Sequence, residues 1–231
     1  MRQLYILLAF LIFSFSAHTQ DYEKARKRMV TGQIAKRGIK DSYTLKAMRK
    51  VERHLFVPPK YMHIAYDDSP LSIGYGQTIS QPYIVAYMTE IINPKPGDKM
   101  LEIGAGSGYQ AAVLAEIVDK VFTIEIVDEL AKTASDRLQK LGYNNVEVIS
   151  GDGYDGLEEE APFDAIIVTA ASEHIPPSLI KQLKDGGKMI IPVGSPFFVQ
   201  TLMLVEKKNG KISTSSLMPV KFVPFTRSQK E

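Results

Sequence analysis

From residue 99 onward, short apolar runs alternate with longer segments whose apolar residues recur at helical spacing. The predicted strands are Met100–Ile103, Lys120–Glu125, Glu147–Ser150, Ala165–Thr169 and Lys188–Val193. The predicted helices are Tyr109–Ile117, the segment between Asp128 and Gly142, and Ser178–Leu183. Because strands that alternate with helices lie parallel in one sheet, the pattern predicts a doubly wound α/β fold with helices on both faces.

Two other patterns precede this alternation. Residues 22–36 and 41–51 have helical spacing, so we expect an N-terminal helical extension that packs against the core. The stretch His54–Gln77 has no period and predicts a long ordered loop, a type of segment that often carries function in a compact domain. After it, Ser80 predicts the N-cap of a helix that accommodates Pro82 in its first turn.

The C-terminal segments differ from the alternating part. Gly186-Gly187 predicts a break before the last parallel strand. Val199–Lys207 and Lys211–Met218 are rich in strand-forming residues and flank Asn209-Gly210, a strong hairpin signal, so we expect a C-terminal antiparallel hairpin. The final segment, Val220–Phe225, either adds a strand or covers the site.

Composition narrows the functional classes. The chain has 231 residues, of which 45% are hydrophobic and 23% charged, and these are ordinary values for a globular protein. A formal net charge of +2 gives no reason to expect a nucleic-acid partner, which would require a strong basic bias. The absence of cysteine excludes disulfides, thiolate metal ligands and a cysteine nucleophile. Asp67 and Asp68 are adjacent acids without further supporting ligands, so we predict no metal site.

The N-terminus has the pattern of an export signal. A basic start precedes an apolar run from Leu4 to Phe15, and small residues follow it. The run is too short to span a membrane comfortably. We therefore expect a signal peptide over residues 1–19 and a single domain over residues 21–231, exported to the periplasm or the outside of the cell. No stable membrane association is expected after cleavage, and a retained N-terminal anchor is the alternative.

One stretch carries the candidate chemistry. Between the first predicted strand and its helix lies Glu102-Ile-Gly-Ala-Gly-Ser-Gly108, whose glycines allow backbone N–H groups to approach a ligand at a helix start. A dinucleotide fingerprint requires glycine or alanine at its sixth position, which is Tyr109 in this chain. The acid before the first glycine would repel a pyrophosphate but suits a cationic group. NAD therefore fits this loop poorly.

Two further acids follow the next predicted strands. Glu125 ends the second strand, where a carboxylate can accept hydrogen bonds from both ribose hydroxyls. Asp152 follows the third strand, where it can bind an adenine amino group. Each of them alone is also compatible with an ordinary polar strand terminus. Together with Glu102 they describe a site for an adenosine that bears positive charge, and S-adenosylmethionine fits this description.

At this level of detail the loop Glu102–Gly108 resembles motif I of the class I S-adenosylmethionine-dependent methyltransferases. Three stretches closely resemble the protein-L-isoaspartate O-methyltransferases: Leu71–Tyr83, Gly104–Ala115 and Pro162–Ala171. The block Gln77-Thr-Ile-Ser-Gln-Pro82 is the specific part, because generic methyltransferases lack it, and the resemblance extends over about Tyr22–Phe225. It implies a mostly parallel, Rossmann-like methyltransferase sheet. It also implies a cytoplasmic location, which is usual for the family and is the alternative to export.

The resemblance further implies a reaction and its residues. The family transfers a methyl group from S-adenosylmethionine to the free carboxylate of L-isoaspartyl residues in damaged proteins, and the ester then closes to a succinimide, which allows repair. Ser80 corresponds to the family's active-site serine. The residues implied around the cofactor are Thr78, Ile79, Glu102, Gly104, Gly106, Ser107, Gly108, Glu125, Ile126, Asp152 and Gly153. We expect a monomer whose partners are proteins or peptides that contain L-isoaspartyl residues.

The chemistry of such a reaction is consistent with these residues. The acceptor carboxylate has an intrinsic pKa of about 4 and is ionised at neutral pH, so no general base is required. We expect Ser80 to donate a hydrogen bond that positions this carboxylate. The Gly-x-Ser-x-Gly elbow of a serine hydrolase is missing around it. The alternatives are a methyltransferase for another carboxylate and a cofactor-binding protein without turnover.

Overall fold

The computed structural model describes residues 22–227 of the chain. The signal peptide predicted over residues 1–19 lies outside the described residues. Within the described part, no helix is both long and apolar enough to cross a membrane.

The described part opens with the helical extension that the sequence predicts. Helix α1, residues 22–28, continues as a π-helix over Met29–Ile34 and then as a 3-10 helix over Ala35–Arg37. Helix α2, Ser42–Lys50, has Asp41 as its N-cap, and the Asp41 carboxylate accepts the N–H of the third helical residue at 2.7 Å. The apolar faces of these segments are buried in the larger of two core clusters, which anchors the extension to the sheet.

The segment between α2 and the next helix is more ordered than predicted. Short 3-10 turns lie at Arg53–Phe56 and Pro59–Ile64. Strands β1, Leu71–Gly74, and β2, Gln77–Ile79, then pair as an antiparallel hairpin. Its turn residues, Tyr75 and Gly76, both have positive φ, as a two-residue hairpin turn requires. The prediction of a loop is wrong here, because strands of four and three residues are too short to show a period.

In residues 22–227, the central sheet has seven strands in the order β5-β4-β3-β6-β7-β8-β9. They are β3 Lys99–Ile103, β4 Lys120–Glu125, β5 Val146–Ser150, β6 Phe163–Val168, β7 Leu183–Val193, β8 Gln200–Lys208 and β9 Lys211–Val220. Strands β3 to β7 are parallel, and β8 and β9 are antiparallel to their neighbours. The predicted mostly parallel, doubly wound sheet with a C-terminal antiparallel hairpin is confirmed.

Helices cover this sheet, and one of their starts corrects a prediction. They are α3 Pro82–Ile92, α4 Tyr109–Ala115, α5 Asp128–Lys140 and α6 Pro177–Gln182. The N-cap of α3 is Gln81 and not Ser80, so the capping prediction is wrong. The cause is Pro82, which suits the first helical position and holds the residue before it extended, with a ψ of 135° at Gln81. Ser80 is thereby left outside the helix.

Strand β7 corrects a second prediction. It runs without interruption through Gly186-Gly187, where the sequence predicts a break. Its register against β6 shifts at this point, since Phe163 pairs with Leu183 whereas Ala165 pairs with Lys188. The glycines therefore lie in a bulge within the strand, a position at which glycine is common.

The core lies on both faces of the sheet, as successive strand residues point to opposite sides. Met100 and Val121 face one cluster, together with the buried side chains of α2, α3 and α4. Leu101 and Ile166 face the other cluster, which includes Leu179 of α6. Because β3, β4 and β6 are buried on both faces, a ligand can reach these strands at their ends.

Candidate active site

The site lies where the order of the strands reverses. From β3 the chain adds β4 and β5 on one side, whereas β6 and β7 lie on the other side of β3. Open α/β sheets bind ligands at the carboxyl ends of the strands at such a point. Gly104 follows β3 and Thr169 follows β6, and the Thr169 hydroxyl lies 2.7 Å from the Gly104 carbonyl oxygen and 2.9 Å from that of Ile103. This hydroxyl can donate to either carbonyl, which joins the two strand ends.

Three cavities of the described structure meet at this edge, and Thr78 and Thr169 line all three. The lining of the first, the glycine-loop cleft, includes Gln77, Ile103, Gly104, Gly106, Ile124, Glu125, Ile126, Gly153 and residues 223–226. The lining of the second, the inner pocket, includes Ile79, Ser80, Glu102, residues 104–107, Tyr109 and Gln110. The lining of the third, the outer cleft, includes Arg37, Ser80, Gln81, Ile84, Val199 and residues 218–223.

In the glycine loop, residues 104–108, Gly104 and Gly106 line both the glycine-loop cleft and the inner pocket. Gly104 has a φ of 96°, and a Cβ atom at this position would collide with the Thr169 hydroxyl. Glycine is therefore required for its conformation and for its close approach to the end of β6. The Gly106 N–H donates to Glu125 Oε2 at 2.8 Å, which fixes the loop against β4.

The last two loop residues have different surroundings. Ser107 is buried and lines the inner pocket, and its carbonyl oxygen accepts a hydrogen bond from Arg137 of α5 at 2.7 Å. Gly108 is the N-cap of α4 and lies close to Leu138, outside the lining of the three cavities. Gly108 therefore contributes to the conformation of the loop without lining a cavity.

Glu102 is the acidic residue in the lining of the inner pocket. Its side chain is fully buried within β3, and its Oε2 accepts a hydrogen bond from the Thr123 hydroxyl at 2.6 Å. Its Oε1 has no hydrogen-bond partner. Burial raises the pKa of Glu102 to about 8, the nearby Glu125 charge adds to the rise, and the Thr123 hydrogen bond opposes it. A cation in the inner pocket would supply the missing partner and favour the ionised form.

Glu125 ends β4 and faces the glycine-loop cleft. Its two oxygens accept the N–H groups of Gly106 at 2.8 Å and Val127 at 3.0 Å. A carboxylate offers about four acceptor positions, so the side chain retains capacity for donors such as ribose hydroxyls. Ile126 lies beside it in the same lining and adds an apolar surface.

At the end of β5, both carboxylate oxygens of Asp152 accept hydrogen bonds within the protein. Asp152 Oδ1 accepts the Tyr154 N–H at 3.0 Å, and its Oδ2 accepts a hydrogen bond from Arg227 Nε at 2.9 Å. Asp152 is not among the residues that line the glycine-loop cleft, whereas Gly153 is. A Cβ atom on Gly153 would lie 2.5 Å from Ile103 Cγ2, so only glycine allows the chain to pass this close to β3.

The segment of residues 78–80 lies between the cavities. Thr78 is an exposed residue of β2 that lines all three cavities, and Ile79 is buried against the inner pocket. Ser80 is half-buried and lines both the inner pocket and the outer cleft. Ser80 is therefore placed at the boundary between the glycine-loop side and the outer side of the site.

Sequence reasoning missed two residues of the site. Thr169 ends a predicted strand beside the switch point, and the rule that ligands bind at the carboxyl ends of strands would have found it. Arg37 lines the outer cleft, where its guanidinium lies 3.4 Å from the Tyr83 ring centroid and pairs with Asp68 at 2.6 Å. No local sequence signal connects Arg37 with the site, since it belongs to the N-terminal extension.

The final segment resolves the alternative left open for Val220–Phe225. Beyond β9 the chain crosses the site, and residues 223–226 line the glycine-loop cleft. The segment is held by two backbone hydrogen bonds of 2.8 Å with Ala171, one through the Val223 carbonyl and one through the Phe225 N–H. We name residues 221–227 the strap, because residues 221–223 line the outer cleft and residues 223–226 line the glycine-loop cleft.

The donor set of the site suits an organic cation with hydroxyl groups. The described residues contain no group of three or more histidine, aspartate or glutamate side chains that could hold a metal ion. The unpartnered oxygen of Glu102 and the glycine loop instead offer a negative charge beside close backbone, which fits the S-adenosylmethionine predicted from the sequence.

The sequence matches a known protein family over most of its length. The family model described as protein-L-isoaspartate(D-aspartate) O-methyltransferase (PCMT) matches residues 24–230. A protein-L-isoaspartate O-methyltransferase of Opitutus terrae is 54% identical over 99% of this chain and 100% of its own length.

Solved structures agree with these sequence matches. A protein-L-isoaspartate O-methyltransferase superposes with a TM-score of 0.80 and 28% identity, over 86% of this chain and 65% of that one. A Plasmodium falciparum beta-aspartate methyltransferase (PCMT) in complex with S-adenosyl-L-homocysteine superposes with a TM-score of 0.76 and 29% identity, over 90% of this chain and 99% of that one. By its sequence, its fold and its cofactor site, the chain belongs to the protein-L-isoaspartate(D-aspartate) O-methyltransferase family.

Proposed function

We propose that this protein transfers the methyl group of S-adenosylmethionine to the free carboxylate of L-isoaspartyl residues in damaged proteins, the first step of repair through a succinimide. Membership of the family supports this proposal. The observation that carries it is the position of Ser80, which lines both the inner pocket and the outer cleft. A side chain at this boundary can contact both the methyl acceptor and the methyl donor.

The inner pocket and the glycine-loop cleft are the proposed cofactor site. When bound, S-adenosylmethionine supplies an electrophilic methyl group on a sulfonium centre. Glu102 would compensate its positive charge, since the Glu102 carboxylate is buried and one of its oxygens has no partner. Glu125 would accept hydrogen bonds from the ribose, and Ile126 and Gly153 would contact the adenosine. Asp152 would contribute through the backbone that it caps, because its Oδ2 is paired with Arg227.

The outer cleft is the proposed acceptor site. The acceptor carboxylate is ionised at neutral pH and needs no base, so the task of the protein is to align it and to exclude water. The Ser80 hydroxyl would donate a hydrogen bond to this carboxylate. Arg37 lines the cleft, where the N–H groups of its guanidinium that do not contact Asp68 would donate hydrogen bonds to an anion. The strap lines both clefts and would reduce the access of water.

A matched pair of peptides tests the proposal. The two peptides share one sequence and differ only in aspartate or isoaspartate at one position, and each is incubated with methyl-labelled S-adenosylmethionine. We expect label on the isoaspartyl peptide alone, and we expect alkali to release it because it is held as an ester. Equal labelling of both peptides would contradict the acceptor. Tight binding of S-adenosylhomocysteine without transfer to either peptide would favour a binding protein without turnover.

We also propose that the protein acts as a monomer outside the cytoplasm. The basic start, the apolar run and the small residues within residues 1–19 support export. Fractionation of cells that express the full chain, with N-terminal sequencing of the product, tests this proposal. We expect a shortened chain in the exported fraction, and a full-length chain in the cytoplasm would contradict it. Sedimentation of the purified protein tests the monomer.

A further inference from the structure

The connection between β7 and β8 exposes three apolar side chains in a row. Phe197, Phe198 and Val199 are 85%, 74% and 68% exposed. Single exposed apolar residues are common on proteins, but a contiguous group of large ones marks a binding surface. We name these three residues the apolar turn.

The apolar turn is held in place by one buried side chain. Gln200 is 1% exposed, and its Nε2 donates to the carbonyl oxygens of Ser195 at 3.1 Å and Phe198 at 2.9 Å. Its Oε1 accepts the N–H of Phe222 in the strap at 2.8 Å. The backbone that carries the exposed rings is therefore hydrogen-bonded to a buried side chain, and this side chain is also bonded to the wall of the outer cleft. Rigid presentation lowers the entropy cost of binding.

The apolar turn also continues the wall of the outer cleft. Val199 lines this cleft together with Ser80 and Phe222. Phe197 lies two residues before Val199, which is a reach of at most roughly 7 Å along the chain. An extended polypeptide advances roughly 7 to 11 Å over two or three residues. A chain that lies in the outer cleft and reaches Val199 can therefore continue over the exposed rings.

We propose that the apolar turn binds a large apolar side chain of the acceptor polypeptide, two or three residues away from the isoaspartyl residue. The inference rests on the proposed function, since it assigns the acceptor to the outer cleft. The occupant is an extended, locally unfolded segment, whose backbone can follow the outer cleft from Ser80 to Val199 and the turn beside it. The enzyme would thereby favour damaged segments that expose residues normally buried in a core.

Peptide kinetics test this proposal. The isoaspartyl peptides carry leucine or serine at the second and third positions on either side of the isoaspartate. We expect the wild-type kcat/KM to be roughly 10-fold higher for the leucine peptides, a typical difference for one apolar contact, and to reside in KM. The double variant Phe197→Ser, Phe198→Ser should lose this preference while its rate on the serine peptides stays unchanged. The matched control is Ile212→Ser on the distal hairpin, which removes an apolar side chain that is 39% exposed and should keep the preference.

A fluorescence measurement tests contact without turnover. The chain contains no tryptophan, so Phe198→Trp introduces a single reporter into the turn. In the presence of S-adenosylhomocysteine, a leucine peptide should shift its emission to shorter wavelength, and the serine peptide should leave it unchanged. If the wild type methylated neither peptide, the proposed function would fail. The fluorescence titration would still show whether the apolar turn contacts the leucine peptide.

Three results would overturn the inference. One is a double variant that retains the full preference for leucine peptides. Another is loss of a dimer in sedimentation when both phenylalanines are replaced, which would assign the turn to a second copy of the chain. The third is an emission shift of the Phe198→Trp variant with phosphatidylglycerol vesicles and none with peptides, which would assign the turn to a lipid surface.

Discussion

The two sides of the active site are built in different ways. The cofactor side is made mostly of strand ends and the loops directly after them, with Thr78 and residues 223–226 of the strap added, and its carboxyl groups, Glu102 and Glu125, are buried. The acceptor side combines Arg37, Ser80 and Val199 with the strap, and these come from four distant parts of the chain. The cofactor side depends on the conformations of strand ends and short loops, which only a few residue types can adopt. The second depends on how separate segments pack, so it can vary without loss of the first.

The largest expected effect concerns the cofactor side. Gly104→Ala forces a side chain into a conformation with a φ of 96° and against the Thr169 hydroxyl. We expect S-adenosylhomocysteine to bind at least roughly 100-fold more weakly, because strain of about 1–3 kcal/mol adds to the collision and displaces the loop. Calorimetry measures the binding.

Gly97→Ala is a matched control for this change. Gly97 has a φ of 92°, but a Cβ atom there meets nothing within 4 Å. It should lower the free energy of unfolding by about 1 kcal/mol through strain alone and leave cofactor binding unchanged. Equal loss of binding in both variants would show that general destabilisation, and not the contact with β6, explains the Gly104 result.

Ser80→Ala should separate the two sides. The variant loses the hydroxyl at the boundary between the inner pocket and the outer cleft. We expect kcat on an isoaspartyl peptide to fall roughly 10- to 100-fold through poorer alignment, with the affinity for S-adenosylhomocysteine nearly unchanged. Steady-state kinetics and calorimetry measure these two quantities. Ser213→Ala, an exposed serine of β9, is the control, and full activity of the Ser80 variant would remove this residue from the mechanism.

Glu102→Gln should stabilise the protein and weaken the cofactor site. Between pH 4.5 and about 8, the folded protein retains a proton on Glu102 that the unfolded chain has lost, so stability decreases as pH rises through this range. Chemical unfolding should show the variant to be more stable by about 1–3 kcal/mol at pH 9 and no more stable at pH 4. Cofactor binding should weaken roughly 10-fold.

The exposed Glu147 provides the comparison for this charge. Glu147→Gln removes an acid of β5 that pairs with Lys120 at the surface. Neither the pH dependence of unfolding nor cofactor binding should change measurably in this variant.

Wild-type binding of the cofactor at pH 7 should release a proton, because a cation in the inner pocket favours the ionised form of Glu102. The buffer dependence of the binding enthalpy detects this release. The absence of proton release would contradict the role of Glu102 as the partner of a cation.

The smallest effect concerns the connection between the strap and the cofactor side. Arg227 pairs with Asp152 at 2.9 Å and lies 3.7 Å from the Tyr154 ring centroid, but its side chain is 40% exposed. Arg227→Ala should raise the dissociation rate of S-adenosylhomocysteine by less than about fivefold, since exposed ion pairs contribute at most about 1 kcal/mol. Stopped-flow displacement measures this rate. Lys184→Ala, which removes another surface ion pair, should leave it unaltered, and a larger change in that variant would contradict a local effect.

Prediction from sequence succeeded where neighbouring residues decide the structure. The alternation of strands and helices, the glycine loop and the C-terminal hairpin each follow from residues within a few positions of one another. It failed at the hairpin of β1 and β2, whose strands are too short for a period, and at Ser80, where Pro82 moved the helix start by one residue. Arg37 was not predicted, because its role depends on contacts across the fold, whereas Thr169 at the end of a predicted strand was overlooked although the rule for strand ends applies to it.

By itself, the sequence determined which cofactor this protein binds. The glycines of residues 104–108 and the acids Glu102 and Glu125 lie at strand ends, and parallel strands bring those ends to one edge of the sheet. Only the tertiary structure decided the acceptor side. Arg37, Val199 and the strap meet Ser80 because the order of the strands and the packing of the extension bring them together, and no local pattern encodes such long-range proximity.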